Sequence, residues 1–293
     1  MNWDDVRIFL AVARAGQILG AARRLGLNHS TVARRLTALE TALRSQLMQR
    51  RTTGTVLTRA GEDFLLAAER MEAEMLAARA SVGDAAVSVS GTVRIGTPDG
   101  FGVAYLAPRL GALVERHANL AIQLVPVPRS FSLSRREADI AITTERPTEG
   151  RLVAQKLVDY TLGLYAARSY ADANGLPGNA VDLTNHQLVG YVPDLVINPS
   201  LDYAGEFSAD WAPRFMISSA LGQAEAVRSG AGIGILHAFV ARAMPELVPV
   251  EAIPPVRRAY WLVYHESMRG LTRIKAVSDF VVQAVERDRL LFQ

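Results

Sequence analysis

The chain has 293 residues, of which 49% are hydrophobic and 21% charged, so it is long enough for two or more domains with sizeable cores. It contains no cysteine, which excludes disulfides, thiolate metal sites and thiol-based redox switches. Charged residues occur among the first ten positions and no run of about 18 apolar residues is found, so neither a signal peptide nor a transmembrane helix is expected. These observations predict a soluble cytoplasmic protein with no membrane partner.

The net charge of +3 is unevenly distributed along the chain. Residues 1–60 contain ten arginines and three acidic residues, a balance of +7, whereas the remainder has a balance of −4. A basic head on a mildly acidic body indicates a polyanionic partner for the head alone.

Three helices are predicted in the head, over residues 3–14, 18–25 and 28–43. In the third, apolar residues recur at helical spacing and predict a buried face of Val32, Leu36, Leu39 and Leu43. Asn28 is expected to cap this helix with its side chain. The opposite face presents short polar residues and paired arginines, which suit a helix end that enters a DNA groove: His29, Ser30, Thr31, Arg34 and Arg35. This pattern predicts a helix-turn-helix.

Two short β-capable runs around residues 53–54 predict a hairpin, or wing, that carries Arg50 and Arg51 towards the DNA. Thr58 is then expected to cap a long helix over residues 59–81. The helix has an apolar stripe, which either packs on its own domain or, as we prefer, pairs with the same helix of a second subunit.

The small, polar segment 83–91 reads as a linker. After it, strands alternate with helices, which indicates βαβ units and a mostly parallel sheet. The strand-like run 153–166 is expected to leave this sheet for a second one. The closing helix, 271–287, is expected to pack back on the first subdomain.

Several motifs resemble the LysR-type transcriptional regulators over the whole chain. In the head they are Ala21-Ala22-Arg23-Arg24-Leu25, Ser30-x-Val32, Arg34-x-Leu36-x-x-Leu39-Glu40 and Leu57-Thr58-x-Ala60-Gly61. Weaker matches in the body are Val93-Arg94-Ile95-Gly96, Asp139-Ile140-Ala141-Ile142 and Gly230-x-Gly232-Ile233.

The resemblance implies an α+β multidomain protein. Its parts would be a winged helix-turn-helix (1–58), a linker or dimerisation helix with a hinge (59–91), and an α/β effector domain similar to a periplasmic-binding-protein fold. The effector domain would have subdomain I at 92–161 and 265–293, and subdomain II at 162–264. Double-stranded promoter DNA, a small-molecule effector and further copies of the chain, as a dimer through the linker helix and as a tetramer, are the implied partners.

The chain departs from the family pattern at four positions. Gln17, Arg44, Met48 and His237 stand where the family usually has Ser, Gly, Phe and Pro. Gln17 is a weaker helix cap than Ser. Arg44 either adds a phosphate contact or alters the turn into the wing.

Effector contacts are expected beyond the carboxyl ends of parallel strands, often at helix N-termini. Three such places match those where the family binds effectors: Thr97, Asp99, Gly100 and Phe101; Thr143 and Thr144; Ser218 and Ser219. A plain helix cap or strand end is the alternative at each. Since Asp99 would repel a carboxylate, a neutral or cationic effector is expected, or one held away from Asp99.

Other functions lack support in the sequence. The run 230–234 contains three glycines but lies between a helix and a strand, the reverse of a dinucleotide-binding loop. The five histidines are scattered, so no metal or cofactor is predicted. No nucleophile motif supports an enzyme on the α/β body. A small-molecule-binding module with a degenerate head remains the alternative to a regulator.

Overall fold

The computed structural model describes residues 2–51, 54–82, 89–127, 137–148, 150–195 and 203–293. The chain divides into two compact units, one formed mainly by residues 1–87 and the other mainly by residues 88–293. Most of the predicted linker, residues 83–88, lies outside the described residues. Within the described part of the chain, no helix is both long and apolar enough to span a lipid bilayer.

The N-terminal unit contains the predicted three helices, hairpin and long helix in that order. They are α1 (Trp3–Ala15), α2 (Ile18–Leu25), α3 (His29–Leu43), β1 (Met48–Arg51), β2 (Gly54–Leu57) and α4 (Arg59–Val82). Gly16 and Gly26 adopt left-handed backbone angles and end the first two helices, where L-residues with side chains would be strained.

The long helix α4 begins inside the core of the head. The Phe64 ring packs edge-on against Phe9 of α1, with centroids 5.1 Å apart, and Ala68 is fully buried. Further along, Met71 and Met75 are exposed. The stripe predicted from the sequence is therefore divided: its first turns pack on their own domain, whereas Met71 and Met75 are exposed.

A bidentate ion pair joins α1 to the middle of α4. The two terminal guanidinium nitrogens of Arg14 donate to the carboxylate oxygens of Glu72, at 3.1 and 2.6 Å. Both side chains are largely buried, so the pair is better shielded from salt than a surface pair would be. It fixes α4 on the head at least as far as Glu72.

The first half of the C-terminal unit is a βαβ arrangement. Its elements are β3 (Gly91–Thr97), α5 (Asp99–Phe101), a π-helical turn (Gly102–Leu106), α6 (Ala107–Arg116), β4 (Leu120–Pro126) and β5 (Ile140–Thr143). β3 pairs in parallel with both β4 and β5, as the sequence predicts.

The second half contains two long strands, β6 (Leu152–Ala167) and β11 (Val256–His265), with shorter elements between them and a closing helix after them. They are β6 (Leu152–Ala167), α7 (Arg168–Asn174), β7 (Leu188–Gly190), α8 (Ala204–Phe207), β8 (Phe215–Met216), α9 (Ala220–Arg228), β9 (Ile233–His237), α10 (Ala238–Ala241), β10 (Leu247–Pro249), β11 (Val256–His265) and α11 (Thr272–Arg287).

The strands of the C-terminal unit form one continuous sheet in the order β4-β3-β5-β11-β6-β9-β7-β8, with β10 paired to β6. The expectation that residues 153–166 leave for a second sheet was wrong. β6 has 16 residues and β11 has 10, and they pair antiparallel over ten positions. These two strands are long enough to join both parallel halves through one hydrogen-bonded ladder.

The closing helix α11 packs on β3 and α6 of the first half, which confirms the prediction. It buries one apolar face of Ile274, Val277, Val281 and Val285. After it, Phe292 is completely buried and lies against Tyr105, with ring centroids 4.8 Å apart. The C-terminal residues thus complete the core of this half.

Candidate functional sites

The N-terminal end of α3 presents a polar face to solvent. His29, Ser30 and Arg34 are exposed, and Thr31 is half-buried. The opposite face is buried in the core of the head and consists of Val32, Leu36 and Leu39. Because the apolar residues follow the helical period, the first two turns stay free to enter a groove.

The caps of α2 and α3 differ from the sequence expectation in one case. Asn28 occupies the N-cap position of α3 with extended backbone angles, but its side chain accepts no hydrogen bond from the first turn. The predicted side-chain cap was therefore wrong. Gln17 likewise provides no side-chain bond to α2, as its weaker capping tendency predicts.

Arg35 is held by the first helix of the head. Its guanidinium forms an ion pair with Asp4 and lies 3.8 Å from a carboxylate oxygen of Asp5. These contacts direct the charge back towards α1. Arg35 therefore helps to hold α3, the predicted recognition helix, against α1. The contact of Arg35 with DNA stays a prediction.

The hairpin is anchored to the recognition helix by one carboxylate. Glu40 Oε1 accepts hydrogen bonds from the backbone N–H groups of Leu47 and Met48, at 2.8 and 3.0 Å. Hydrogen bonds to a charged acceptor are stronger than neutral ones, so Glu40 fixes where β1 begins. The side chains of Arg50 and Arg51, predicted to contact DNA, lie outside what the structure describes.

The start of α4 closes against the base of the hairpin. The Thr58 hydroxyl accepts from the Gly61 N–H at 3.0 Å, which confirms its predicted cap. A Cβ atom at Gly61 would lie 1.9 Å from the Leu47 carbonyl oxygen. Only glycine therefore fits where the first turn of α4 passes Leu47, the residue directly before β1.

Arg44 ends α3 in a left-handed conformation, with φ 51° and ψ 34°. Among the residues that the structure describes, it is the one non-glycine residue with positive φ. The structure thus favours the second of the two predicted roles, an altered turn into the wing, since its backbone takes the geometry that glycine adopts most readily.

Several further residues of the head are exposed, although the sequence does not predict that they contact DNA. Arg23 and Arg24 are exposed in the last turn of α2, and Thr37 is exposed one turn beyond Arg34 on α3. Thr37 follows Ser30 and Arg34 at intervals of seven and three residues, so helical spacing alone could have placed it on the same face.

In the C-terminal unit, Asp99 reaches the N-terminus of α9. Its Oδ2 atom accepts from the Ser219 hydroxyl at 2.6 Å and from the Leu221 N–H at 3.4 Å. Ser219 in turn accepts from the Gly222 N–H and caps the helix. A carboxylate of the chain itself thus occupies a helix end that would otherwise suit an anion.

The other residues predicted after β3 are buried. Thr97 is completely buried, and its hydroxyl donates to the carbonyl of Pro98 at 3.1 Å. Gly100 is buried beside His237 and Ala220. Phe101 is completely buried, with its ring centroid 4.5 Å from that of Tyr260, because it completes the aromatic core. The Phe101 ring thus packs in the core, and its contact with an effector stays a prediction.

The remaining predicted positions lie at the end of β5 and directly before α9. The Thr143 hydroxyl donates to the Glu145 carbonyl at 2.7 Å, while Thr144 is largely buried. The Ser218 carbonyl accepts from the Tyr191 hydroxyl at 3.0 Å. Ser218 and Ser219 are therefore brought together with Asp99 and Tyr191 at the start of α9.

His237 lies in a buried aromatic stack. Its ring is stacked on Tyr160 at 5.3 Å, and Tyr160 is stacked on Tyr260 at 4.1 Å. Burial lowers the pKa of His237 to about 4, although the negative charge of Asp99 acts in the opposite direction. The imidazole is therefore neutral at physiological pH.

A cavity of about 170 Å³ lies beside these residues, at the carboxyl end of β7. Its walls include aromatic and cyclic side chains from the loops around β7 and α8: Tyr191, Pro193, Tyr203, Trp211 and Pro213. The sequence does not predict this cavity, since the loop residues 203–213 carry no periodic signal that would bring them together.

Residues 3–62 match the profile of the bacterial regulatory helix-turn-helix proteins of the lysR family, and residues 86–286 match the LysR substrate binding domain. These matches extend over most of the chain and agree with the order of its two units. The chain belongs to the family of LysR-type transcriptional regulators. It is a DNA-binding regulator with an effector-binding domain, and the predicted fold class is confirmed.

Individual relatives support the same assignment. The regulator CrgA of Neisseria meningitidis serogroup C is 26% identical over 289 residues, which cover 96% of each chain. The solved structure of CrgA from Neisseria meningitidis has a TM-score of 0.60 at 25% identity and covers 97% of this chain and 98% of its own. Full-length OxyR of Pseudomonas aeruginosa reaches a TM-score of 0.71 at 17% identity, with coverage of 98% and 95%, and shows the fold alone.

Within the described residues, no group of three or more histidine, cysteine or acidic side chains is placed to hold a metal ion. The polar groups of the two sites are instead hydroxyls, backbone amides, one carboxylate and exposed arginines.

Proposed function

We propose that the head recognises promoter DNA through the exposed face of α3, with His29, Ser30, Thr31 and Arg34 at the bases and phosphates. The observation that carries this proposal is the separation of the two faces of α3, with its polar N-terminal turns exposed and its apolar residues buried. Arg50 and Arg51 on the wing would add contacts to the backbone or the minor groove.

Within this surface, Arg34 is assigned the larger share of the binding. Its side chain is exposed, whereas the charge of Arg35 is already engaged by Asp4. An arginine that must first break an ion pair gains less from a phosphate. Arg35 is therefore expected to contribute mainly by holding α3 in place.

The effector is proposed to bind near Asp99, Ser218 and Ser219, where the segment after β3 contacts the start of α9, with Thr143 and Thr144 at the end of β5 as further contacts. Thr97, Gly100 and Phe101 are buried in the same segment after β3. Because Asp99 already fills the helix end, the effector is neutral or cationic there rather than a carboxylate. We further propose the boundaries 92–161, 162–264 and 265–293 for the two effector subdomains.

The exposed later turns of α4 are proposed to pair with the same helix of a second copy. Met71 and Met75 are exposed apolar residues at helical spacing, and burying them against a partner is favourable. We also propose that two such dimers form a tetramer.

The protein is further proposed to act by binding and not by catalysis, and to do so in the cytoplasm, where promoter DNA is found.

The test is binding to DNA from the intergenic region upstream of its own gene, measured over a salt titration. Tight binding should fall steeply with salt, because arginine contacts release counterions from the phosphates. Arg34→Ala should lose about 1–3 kcal/mol of binding free energy. Arg116→Ala, which removes an exposed arginine of α6, is the matched control and should bind normally.

Equal loss of binding in both variants, or binding no tighter than to unrelated DNA, would contradict the assignment of α3. A normal circular dichroism spectrum for each variant excludes unfolding as the cause. The alternative, a binding module with a degenerate head, predicts no salt-dependent preference for any promoter fragment.

A further inference from the structure

The cavity in the second half of the C-terminal unit has walls of an unusual composition. Three aromatic residues and two prolines line it, together with aliphatic residues, Gly190 and the buried amide side chain of Gln223. None of its described lining residues carries a charge. Gly190 is required here, since a Cβ atom would lie 2.6 Å from Pro213 and 3.2 Å from the Trp211 indole nitrogen.

Two of the aromatic residues are fixed by the surrounding structure. The Tyr191 hydroxyl donates to the Ser218 carbonyl at 3.0 Å, which sets the orientation of its ring. Tyr203 is only 7% exposed. Rigid aromatic walls suit a compact ligand because little side-chain entropy is lost when it binds.

Hydrogen bonds link the carboxylate of Asp99 to the cavity wall: Asp99 accepts from Ser219, and the carbonyl of the neighbouring Ser218 accepts from Tyr191. Burial, followed by the Asp99 charge, raises the pKa of Tyr191 to about 12. Asp99 also contributes to the raised pKa of Tyr203, for which burial is the main cause. The negative charge of Asp99 therefore acts on two residues of the cavity wall, Tyr191 and Tyr203.

The arginine that acts on Tyr203 is already paired. Arg258, which acts on Tyr203 in the opposite direction to Asp99, forms an ion pair with Glu206. His237 is neutral above its lowered pKa of about 4. Among the described residues no arginine or lysine forms an ion pair with Asp99.

We propose that this cavity binds a small organic cation, an alkylammonium group held against the faces of Tyr191, Tyr203 and Trp211 and attracted by Asp99. Aromatic faces attract cations through the ring quadrupole, and quaternary ammonium groups are recognised in this way. The inference rests on the proposed function: it extends the proposed effector site from Ser218 into the adjoining cavity through Tyr191 and specifies the chemical class of the effector. The volume suits a compact ligand, since an apolar cavity of about 150 Å³ holds benzene.

The test uses choline and its neutral isostere 3,3-dimethyl-1-butanol, which has the same shape without the charge. Calorimetric titration of the full chain should show choline binding at least about tenfold more tightly. The Trp3→Phe, Trp261→Phe double variant leaves Trp211 as the sole tryptophan, and its fluorescence should change with choline.

Asp99→Asn separates the charge from the shape of the site. The amide oxygen can still accept from Ser219 and Leu221, so the fold is retained. We expect choline to bind several-fold more weakly and the isostere to be unaffected. Asp172→Asn, which removes an exposed carboxylate on α7, is the matched control and should bind choline as the wild type does.

Equal affinity for choline and the isostere, absence of choline binding, or an unchanged affinity in Asp99→Asn would each overturn the inference. Salt-dependent promoter binding is measured on the same preparations. Its retention would show that only the cation assignment is wrong, whereas its loss would show that the proposed regulator function has failed.

Discussion

The hydroxyl of Ser219 donates to Asp99 across 2.6 Å, although 120 residues separate them in the chain. Asp99 follows β3 and Ser219 caps α9, so this bond joins the two parallel halves of the effector domain. The chain thus supplies its own anion at a helix end. The contact has consequences for stability as well as for effector choice.

Asp99→Ala should destabilise the C-terminal unit by about 1–3 kcal/mol, because the Ser219 hydroxyl and the Leu221 N–H lose their acceptor. Added sodium formate should restore part of this stability by replacing the carboxylate. Urea unfolding with and without formate measures the effect. Asp172→Ala should show no formate dependence, and a similar response to formate in both variants would contradict the prediction.

Arg44→Gly should stabilise the head by about 0.5–1 kcal/mol. A left-handed non-glycine residue costs about 1–2 kcal/mol, and the greater unfolded-state entropy of glycine offsets part of the gain. Arg24→Gly, inside α2, is the control and should destabilise by about 1 kcal/mol. Thermal unfolding of both variants distinguishes the two outcomes, and a destabilised Arg44→Gly would argue that the arginine side chain has a structural role.

Gly61→Ala should destabilise the head by about 2–3 kcal/mol or more, because the new methyl group overlaps the Leu47 carbonyl. Gly111→Ala tests the same change in α6, where nothing lies within 4 Å of the added Cβ atom. That control should gain up to about 1 kcal/mol from helix propensity. Parallel denaturation curves check both values, and a near-neutral Gly61→Ala would show that the turn relaxes.

His237 should make the stability of the C-terminal unit depend on pH between about 4 and 6.5. The unfolded state binds the proton more tightly, so the stability is complete above pH 6.5 and is lost as the pH falls towards 4. The full difference is about 3 kcal/mol. His237→Phe should flatten this part of the urea-unfolding profile, and an unchanged profile would refute the assignment.

The sequence predicts local structure where one pattern governs one element. The apolar spacing of Val32, Leu36 and Leu39 places the buried face of α3, and the opposite face follows from it. The predicted cap at Thr58 is likewise local and is confirmed. Asn28 occupies the N-cap position of α3, but its side chain does not cap the helix. The capping preference of a residue type predicts where a helix begins, whereas the side-chain rotamer depends on tertiary packing.

Contacts between distant segments could not be predicted in this way. The ion pair of Arg35 with Asp4 spans 31 residues, and no periodicity links the two. Phe101 follows a strand end, the usual place for a ligand contact, yet its ring is drawn into the aromatic core with Phe292. The aromatic cavity depends on loops whose composition gives no sign of their proximity.

Phe64 and Glu72 fix the first half of α4 to α1, so that the head and this part of the helix form one rigid unit. A residue inserted beyond Glu72 would turn everything after it by about 100° relative to the recognition helix. In a dimer joined through α4, that rotation would change the angle and spacing of the two heads. If the chain pairs through α4 as proposed, the length of this helix would set the distance between the two DNA half-sites, and a change in one would require a change in the other.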